Sequence, residues 1–313
     1  VSIKRAVNYL MHNRTQFCDS LVKNFLCFLP DKAYLSLRFR LQMGYWMNWR
    51  NPKTFSEKIQ WLKVYNRKSE YTTMVDKYAV KKYVAERIGE EYIIPTLYVW
   101  DKPEDINWDI LPNQFVLKTT HGGGGCGVVV CKDKDYFDKE KAVVKLQSSL
   151  NSDIYLNLRE WPYKDVPRRV IAEKMLKSSL SLESDDLTDY KFFCFNGVPK
   201  YCQVIRDRHS RETIDFYDMD WIHQEFVGLN TIAYNGEYNT FCNGDTPVSR
   251  PKQLDNMIEI CRILAKDLPF IRVDLYVVDD KIYFGELTFF PASGFGTFTP
   301  ESWQLKLGDM LII

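Results

Sequence analysis

The sequence predicts an α+β fold built on antiparallel hairpins, and three observations carry that reading. Up to about residue 90 the chain shows helix-start signals and helical spacing of its apolar residues. From Ile93 onward it changes to short runs rich in Val, Ile, Tyr and Phe, separated by Pro, Asn, Asp and Gly. With 313 residues, 45% hydrophobic and 15% aromatic, it can bury a sizeable core as one large unit or as two to three lobes.

In chain order, Pro30 and Pro52 break the helical region, and Thr54-Phe55-Ser56-Glu57 opens a helix through an N-cap followed by an early acidic residue. A further helix starts near Asp76. Its Val80, Val84 and Ile88 recur at i+4, and Gly89 supplies the stop. Strands are expected at Phe115 to Thr119, Val128 to Cys131, Arg169 to Met175, Tyr190 to Phe195, Lys200 to Ile205, Phe270 to Val278 and Ile282 to Thr288. Helices are expected near 138 to 150 and 251 to 267. No internal repeat or low-complexity segment interrupts this order, and the mixed pattern makes the class α+β.

The bulk charge argues against nucleic acid as a partner, since 42 basic residues face 41 acidic ones. Locally the balance shifts. Positions 1 to 50 carry eight basic residues (Lys4, Arg5, Arg14, Lys23, Lys32, Arg38, Arg40 and Arg50) against Asp19 and Asp31, among apolar residues such as Leu21, Val22, Phe25 and Phe28. Such a segment could make peripheral contact with an anionic membrane face through residues 1 to 45, or pack on its own domain with a solvated basic face. The eight cysteines form no C-x-x-C pair, so neither a zinc site nor a disulfide framework is indicated. No run approaches the roughly 18 apolar residues of a membrane span, and no signal-peptide cleavage pattern is present. Cytoplasmic placement is the expectation, possibly at the inner membrane face.

The most informative stretch is Phe115 to Val130, in which Lys118 precedes Gly122, Gly123, Gly124, Gly125 and Gly127, with β-rich residues on both sides. A backbone without Cβ atoms can approach a triphosphate and aim N–H groups at its oxygens. A Walker A loop must run into a helix and carry Gly-Lys-Ser/Thr. Here Val128 to Cys131 is β-rich, so the loop reads as a hairpin cover over phosphates. Lys118 stands among apolar β formers, where a charge needs a partner, and a phosphate is a natural one. His121 at the loop base could touch phosphate or cap the turn.

A second constellation lies at Phe270 to Thr288. A three-residue loop, 279 to 281, would put 278 opposite 282 and 274 opposite 286, and would gather Arg272, Asp274, Glu286 and Thr288 on one face. Two carboxylates roughly 5 Å apart repel unless a cation bridges them. Oxygen-only ligands suit magnesium, although Arg272 could instead neutralise the pair as a structural network. A two-residue turn would break this alignment.

Taken together, the lysine strand, the glycine hairpin, a later Glu-Lys strand and an R-x-D…E-x-T hairpin resemble the ATP-grasp superfamily. Four stretches are similar to its TupA-like branch, named for teichuronopeptide synthesis: Asn51 to Leu62, Asp76 to Val80, Asp189 to Gly197 and Gly285 to Phe289. The resemblance implies two α+β lobes gripping ATP between antiparallel sheets, with a helical N-terminal extension. The implied units are 1–50 for the basic extension, 51–110 for an N-terminal helical/αβ lobe, 111–175 for the small lobe with the glycine-rich loop and 176–313 for the large lobe with the metal hairpin. It implies that Lys77 and Lys118, with His121 and Gly122 to Gly125, meet the nucleotide phosphates. Glu173, Lys174, Met175 and Leu176 would hold adenine, and Asp189 the ribose. Lys191 would then meet the γ-phosphate and Arg272 the transferring phosphoryl group, while Asp274 and Glu286 would bind Mg2+, with Thr288 as a third metal position standing where asparagine is common. The implied reaction joins an amino acid or amine to a uronic-acid-containing carbohydrate at the expense of ATP. A glycosyltransferase using Asp218-Met219-Asp220 is the rival reading, and Trp161, Tyr163 and Trp221 could stack sugars in a binding module.

Overall fold

The structure, a computed structural model, describes residues 14–123, 125–177, 187–206, 212–232, 238–239 and 241–313. Gly124 and the first 13 residues of the basic segment lie outside the described residues.

Helices Arg14–Phe25 and Asp31–Met43 pair first, with Pro30 just before the second. Val22, Tyr34, Leu35 and Phe39 are buried in one cluster with Phe295 from near the C-terminus. Leu21, Phe25 and Phe28 stay exposed. Arg38 is buried and chelated by Asp19, with Nε to Oδ1 at 2.6 Å, which neutralises the charge inside the cluster. Among the described residues, no helix is long and apolar enough to cross a membrane.

The expected capping box forms at Phe55–Tyr65: the Thr54 side chain accepts from the Glu57 amide while the Glu57 carboxylate accepts from the Thr54 amide. Helices Glu70–Val75 and Ala79–Ile88 follow. Asp76 starts the second one by accepting from the Tyr78 and Ala79 amides.

Strands β1 (Thr96–Trp100), β2 (Phe115–Thr119), β3 (Val128–Cys131) and β4 (Val170–Lys174) form an antiparallel sheet in the order β1-β4-β2-β3. Its inner face (Phe115, Leu117, Val170 and Ala172) packs with Leu146 and Leu150 of helix Lys139–Leu150. A larger antiparallel sheet has the order β12-β11-β5-β6-β7-β8. It comprises β5 (Asp189–Phe195), β6 (Val198–Arg206), β7 (Thr213–Asp218), β8 (His223–Gln224), β11 (Phe270–Val278) and β12 (Lys281–Thr288). Helix Leu254–Ala265 buries Met257, Cys261 and Leu264 against it, and Phe55 meets Phe270 at 5.2 Å between ring centroids. A small sheet of β9 (Val227–Ile232), β10 (Tyr238–Asn239) and β13 (Thr297–Thr299) completes the α+β architecture.

The β11–β12 turn corrects one expectation. Val278 pairs with Lys281, so the turn has two residues, Asp279 and Asp280, both left-handed at φ 49 and 62. That is the backbone a tight hairpin favours, because its twist matches the flanking strands. A regular ladder from this turn would put Gly285 opposite Asp274. Instead the register shifts after Leu275↔Phe284, so Gly285 bulges out and Asp274 faces Glu286 with Arg272 facing Thr288. The facing pair is as expected, but a bulge produces it rather than a three-residue turn. A Cβ on Gly285 would lie 2.8 Å from the Tyr276 ring and 3.0 Å from the Asp274 carbonyl oxygen.

Candidate active site

Register explains how the polar residues of the large sheet converge. Gln203 pairs with Lys191, Lys191 with Asp274, and Asp274 with Glu286, giving one row across β6, β5, β11 and β12 on a single face. The neighbouring row holds Ile205, Asp189, Tyr276 and Tyr283. The opposite face of β11 presents Val273 and Leu275, both fully buried, to the core.

Asp274 is 1% exposed and is held by cations on both oxygens. Arg272 donates from Nε to Oδ1 at 2.7 Å and from Nη2 to Oδ2 at 2.8 Å, and the Lys191 ammonium donates to Oδ2. Arg272 also donates to the Thr288 hydroxyl at 3.1 Å. Glu286 is bridged by Lys77 at 3.0 Å, and the same ammonium donates to the Gly122 carbonyl. Burial alone would raise both acids. The Arg272 and Lys191 cations hold Asp274 below the usual carboxylate range, and Lys77 does so for Glu286.

Across the cleft, Glu173 of β4 sits opposite Val116 and diagonal to Lys118 of β2. Its two oxygens accept from Lys118 and Lys81, each at 2.6 Å. Burial opposes the charge on Glu173, and these lysines hold its pKa below the ordinary carboxylate range. Lys118 therefore has a carboxylate as its partner within the protein, where the sequence suggested a phosphate. Lys81, which also donates to the Ile94 carbonyl and Thr96 hydroxyl at 2.7 Å each, was not among the expected residues. The available signal was its place one helical turn after Lys77, which turns both ammonium groups toward the same side.

Lys77, Lys118, Gly125, Glu173, Lys191, Arg272, Asp274 and Glu286 line one cleft of about 1110 Å³ between the two sheets. Gly122, Thr288 and Asp189 flank it, touching Lys77, Arg272 and Lys191 respectively, the last at 3.6 Å. Gly123 follows Gly122 in the loop, where its carbonyl accepts from the Cys126 amide at 3.3 Å. His121 is buried beneath the loop with Nε2 facing the Ser152 carbonyl at 3.3 Å, and burial lowers its pKa. Lys174, Met175 and Leu176 leave the end of β4, where the Lys174 amide donates to the Pro95 carbonyl at 3.0 Å. Glycine is required at two loop positions: Gly125 is left-handed at φ 76, and a Cβ on Gly127 would lie 2.0 Å from the Thr119 hydroxyl.

The rival aspartates do other work. Asp218 accepts from the Asp220 amide at 3.1 Å, the Ile222 amide at 2.8 Å and the Gln224 side chain at 3.1 Å, closing the β7–β8 turn. Trp221 is buried and stacks on Tyr217 at 4.5 Å, so it offers no sugar platform. All eight cysteines are free. Among the described residues, no group of three or more His, Cys, Asp or Glu side chains could hold a metal. A divalent ion here would therefore have two carboxylate ligands, Asp274 and Glu286, and take its remaining oxygens from elsewhere. The two acids are directly opposite and held below the usual carboxylate range, which suits a hard cation, and such an ion would have to share the Asp274 oxygens with Arg272 and Lys191 and the Thr288 oxygen with Arg272.

A sequence profile of the TupA-like ATP-grasp family matches residues 57–312. Comparison with curated proteins finds no match. Among solved structures, the chain is similar to a D-alanine–D-alanine ligase from Bacillus anthracis complexed with ATP, at 19% identity and TM-score 0.38, over 69% of this chain and 53% of that one. A RimK domain ATP-grasp protein from Sphaerobacter thermophilus gives 13% and 0.41, over 79% and 70%. The ATP-grasp ligase PsnB, complexed with minimal precursor, Mg and ADP, gives 11% and 0.35, over 88% and 66%. The chain thus spans only about half the length of the first of these, and likenesses this loose carry nothing about the site. The profile match covers most of the chain and agrees with the α+β layout: the chain belongs to the TupA-like ATP-grasp family, whose fold is that of ligases using ATP and magnesium.

Proposed function

We propose that the protein is an ATP- and magnesium-dependent carboxylate–amine ligase that joins an amino acid or amine to a uronic acid of a capsular or cell-surface polysaccharide. The observation that carries this reading is the row Lys191, Asp274 and Glu286, flanked by Arg272 and Lys77, facing Lys118 across one cleft. Family membership supports the reaction class, and the uronic acid is what the resemblance to the TupA-like branch, named for teichuronopeptide synthesis, implies.

The chemistry runs in two steps. A carboxylate oxygen of the acceptor bonds to the γ-phosphorus as the bond to the β-phosphate oxygen breaks, releasing ADP. The amine nitrogen then bonds to the acyl carbon, phosphate leaves, and the amine proton departs with it. Lys77, Lys118 and Lys191 bind and orient phosphate oxygens, each already pre-aimed by a carboxylate in the cleft. Arg272 places a fixed positive charge where charge gathers on the transferring group and on the tetrahedral carbon. Asp274 and Glu286 would hold magnesium, which neutralises the phosphate oxygens and orients them. Glu173, engaged by Lys118 and Lys81, sets their positions, and residues 174–176 at the end of its strand would hold the adenine, with the Lys174 amide already committed to the Pro95 carbonyl.

The test is incubation with ATP, magnesium, a uronic-acid glycan and mixed amino acids, following ADP, phosphate and amide. Equal yields of the three are expected. Absence of ATP turnover under all acceptors would sink the ligase reading, and turnover indifferent to the glycan would sink the carbohydrate assignment. The glycine-rich loop should act as a cover, since the Lys77 contact to Gly122 is one that nucleotide phosphates would replace. Amides of residues 122–127 are expected to exchange at least about tenfold more slowly with ATP and magnesium bound. Unchanged exchange would show that the loop is not a closing element.

A further inference from the structure

One face of helix Phe55–Tyr65 is buried and polar. Ser56, Gln60 and Lys63 are all 0% exposed, yet they stand beside the core residues Ile59 and Leu62. Positions four and three apart share a helix face, so the three side chains point the same way. Polar groups in such a place are costly unless every one is bonded. All three reach a single target, the segment 291–296. Ser56 donates its hydroxyl to the Gly296 carbonyl at 3.0 Å, and Gln304 donates to that same carbonyl at 2.9 Å. Gln60 donates from Nε2 to the Ser293 carbonyl at 2.9 Å, while its Oε1 is buried without a hydrogen-bond partner. Lys63 donates to the Ser293 carbonyl, the Ser293 hydroxyl and the Leu158 carbonyl, each at 2.8 Å, which uses all three ammonium hydrogens.

The target is conformationally strained. Ala292, Ser293 and Gly294 are consecutive left-handed residues, at φ 45, 53 and 68. For the two that carry a Cβ this backbone is costly, and it persists only where the surroundings over-determine it. There is no room to relax toward the helix: a Cβ on Gly294 would lie 2.7 Å from Ile59 and 2.8 Å from the Gln60 amide nitrogen. The segment begins at Pro291, three residues after Thr288 at the end of the Glu286 strand. Burial pushes the pKa of the Lys63 ammonium down to about 7, and the Glu160 carboxylate opposes that shift without overcoming it.

We propose that Ser56, Gln60 and Lys63 form a clamp that imposes the left-handed path on 291–296, and that Lys63 is a positioning residue for amide formation. The clamp fixes the chain that leaves the strand of Glu286 and Thr288, and so holds the end of the strand that carries Glu286 into the cleft. It acts on the site through the loop and touches neither Lys77 nor Lys118. The catalytic part of this inference rests on the ligase reading, whereas the clamp itself does not.

The test uses the full chain carrying Lys63→Met, which keeps length and loses every donor. Amides of 293–296 are expected to exchange at least about tenfold faster than in the parent. The kcat for amide formation is expected to fall about tenfold to 10²-fold while the KM for ATP stays within about twofold. Adding Ala292→Gly should restore much of both, because glycine takes that backbone without penalty. Should Lys63→Met fail to fold, Gln60→Met removes one donor of the same clamp and should shift exchange and kcat in the same direction by less. Unchanged exchange in a folded variant, no rescue by glycine, or a loss of ATP affinity parallel to the loss of kcat would each overturn the proposal. If the parent turns over no ATP, the ligase reading and the catalytic role of Lys63 both fall, and the exchange measurements alone decide the clamp.

Discussion

Replacing Asp274 by Asn is expected to lower magnesium-dependent ATP turnover by about 10³-fold or more and also to destabilise the fold. The activity loss follows from removing one of two facing carboxylates, a contribution of several kcal/mol to stabilising charge during phosphoryl transfer. The stability loss has a separate cause. Asp274 is 1% exposed and neutralises both Arg272 and Lys191, so the amide leaves two buried cations beside each other. Breaking such a cluster by removing its anion costs about 3–5 kcal/mol. Glu286 separates the two effects. Its side chain is 32% exposed and, among the described residues, its ion pair is with the partly exposed Lys77, so Glu286→Gln should cost about 1 kcal/mol or less in a denaturant melt. Its turnover should still collapse as far as that of Asp274→Asn. A folded Asp274→Asn protein hydrolysing ATP at the parent rate would remove the metal role from this pair. Equal stability losses for the two variants would contradict the charge argument.

What the sequence made legible was local. The N-cap at Thr54 and the strand Phe270–Val278 follow from short-range spacing, and the structure contains them, whereas the facing of Asp274 and Glu286, expected from a three-residue turn, is produced instead by the bulge at Gly285. Contacts between distant segments were hidden. Lys63 follows directly on the motif stretch whose helix opens at Thr54, but its partner Ser293 is 230 positions away. The carboxylate beside Lys118 was hidden in the same way, because Glu173 stands on a strand that pairs with that of Lys118 only across the sheet. Strand β9 escaped notice for a related reason. Its Val227-Gly228-Leu229-Asn230 run looks like a loop until the Phe298 ring arrives, 2.2 Å from where a Cβ on Gly228 would be. Composition cannot register such a close approach, since the ring and the glycine are 70 residues apart in the chain.

The bulge at Gly285 sets the second large expectation. The turn Asp279-Asp280 fixes a register in which Asp274 would face Gly285 and Glu286 would turn toward the core side shared by Val273. One extra residue corrects this, and only a side chain of zero size fits, with the Tyr276 ring and the Asp274 carbonyl where a Cβ would stand. Gly285→Val should therefore either displace Tyr276 and the β11 backbone or expel the bulge and rotate Glu286 off the cleft face. Both routes separate the two carboxylates, and ATP turnover is expected to fall by about 10²-fold or more. Deleting Gly285 is the informative companion. Without the extra residue the regular ladder brings Glu286 opposite Asp274 directly, so the deletion should keep much of the turnover that Gly285→Val loses. If the deletion is the worse of the two, the bend and added twist of the bulge, rather than the facing of the carboxylates, are what the site requires. Steady-state ATP turnover of the two purified variants, with magnesium titrated in each, decides between these outcomes: a pair still facing across the ladder should keep its magnesium dependence near that of the parent, while a pair pulled apart should need far more metal for whatever turnover remains.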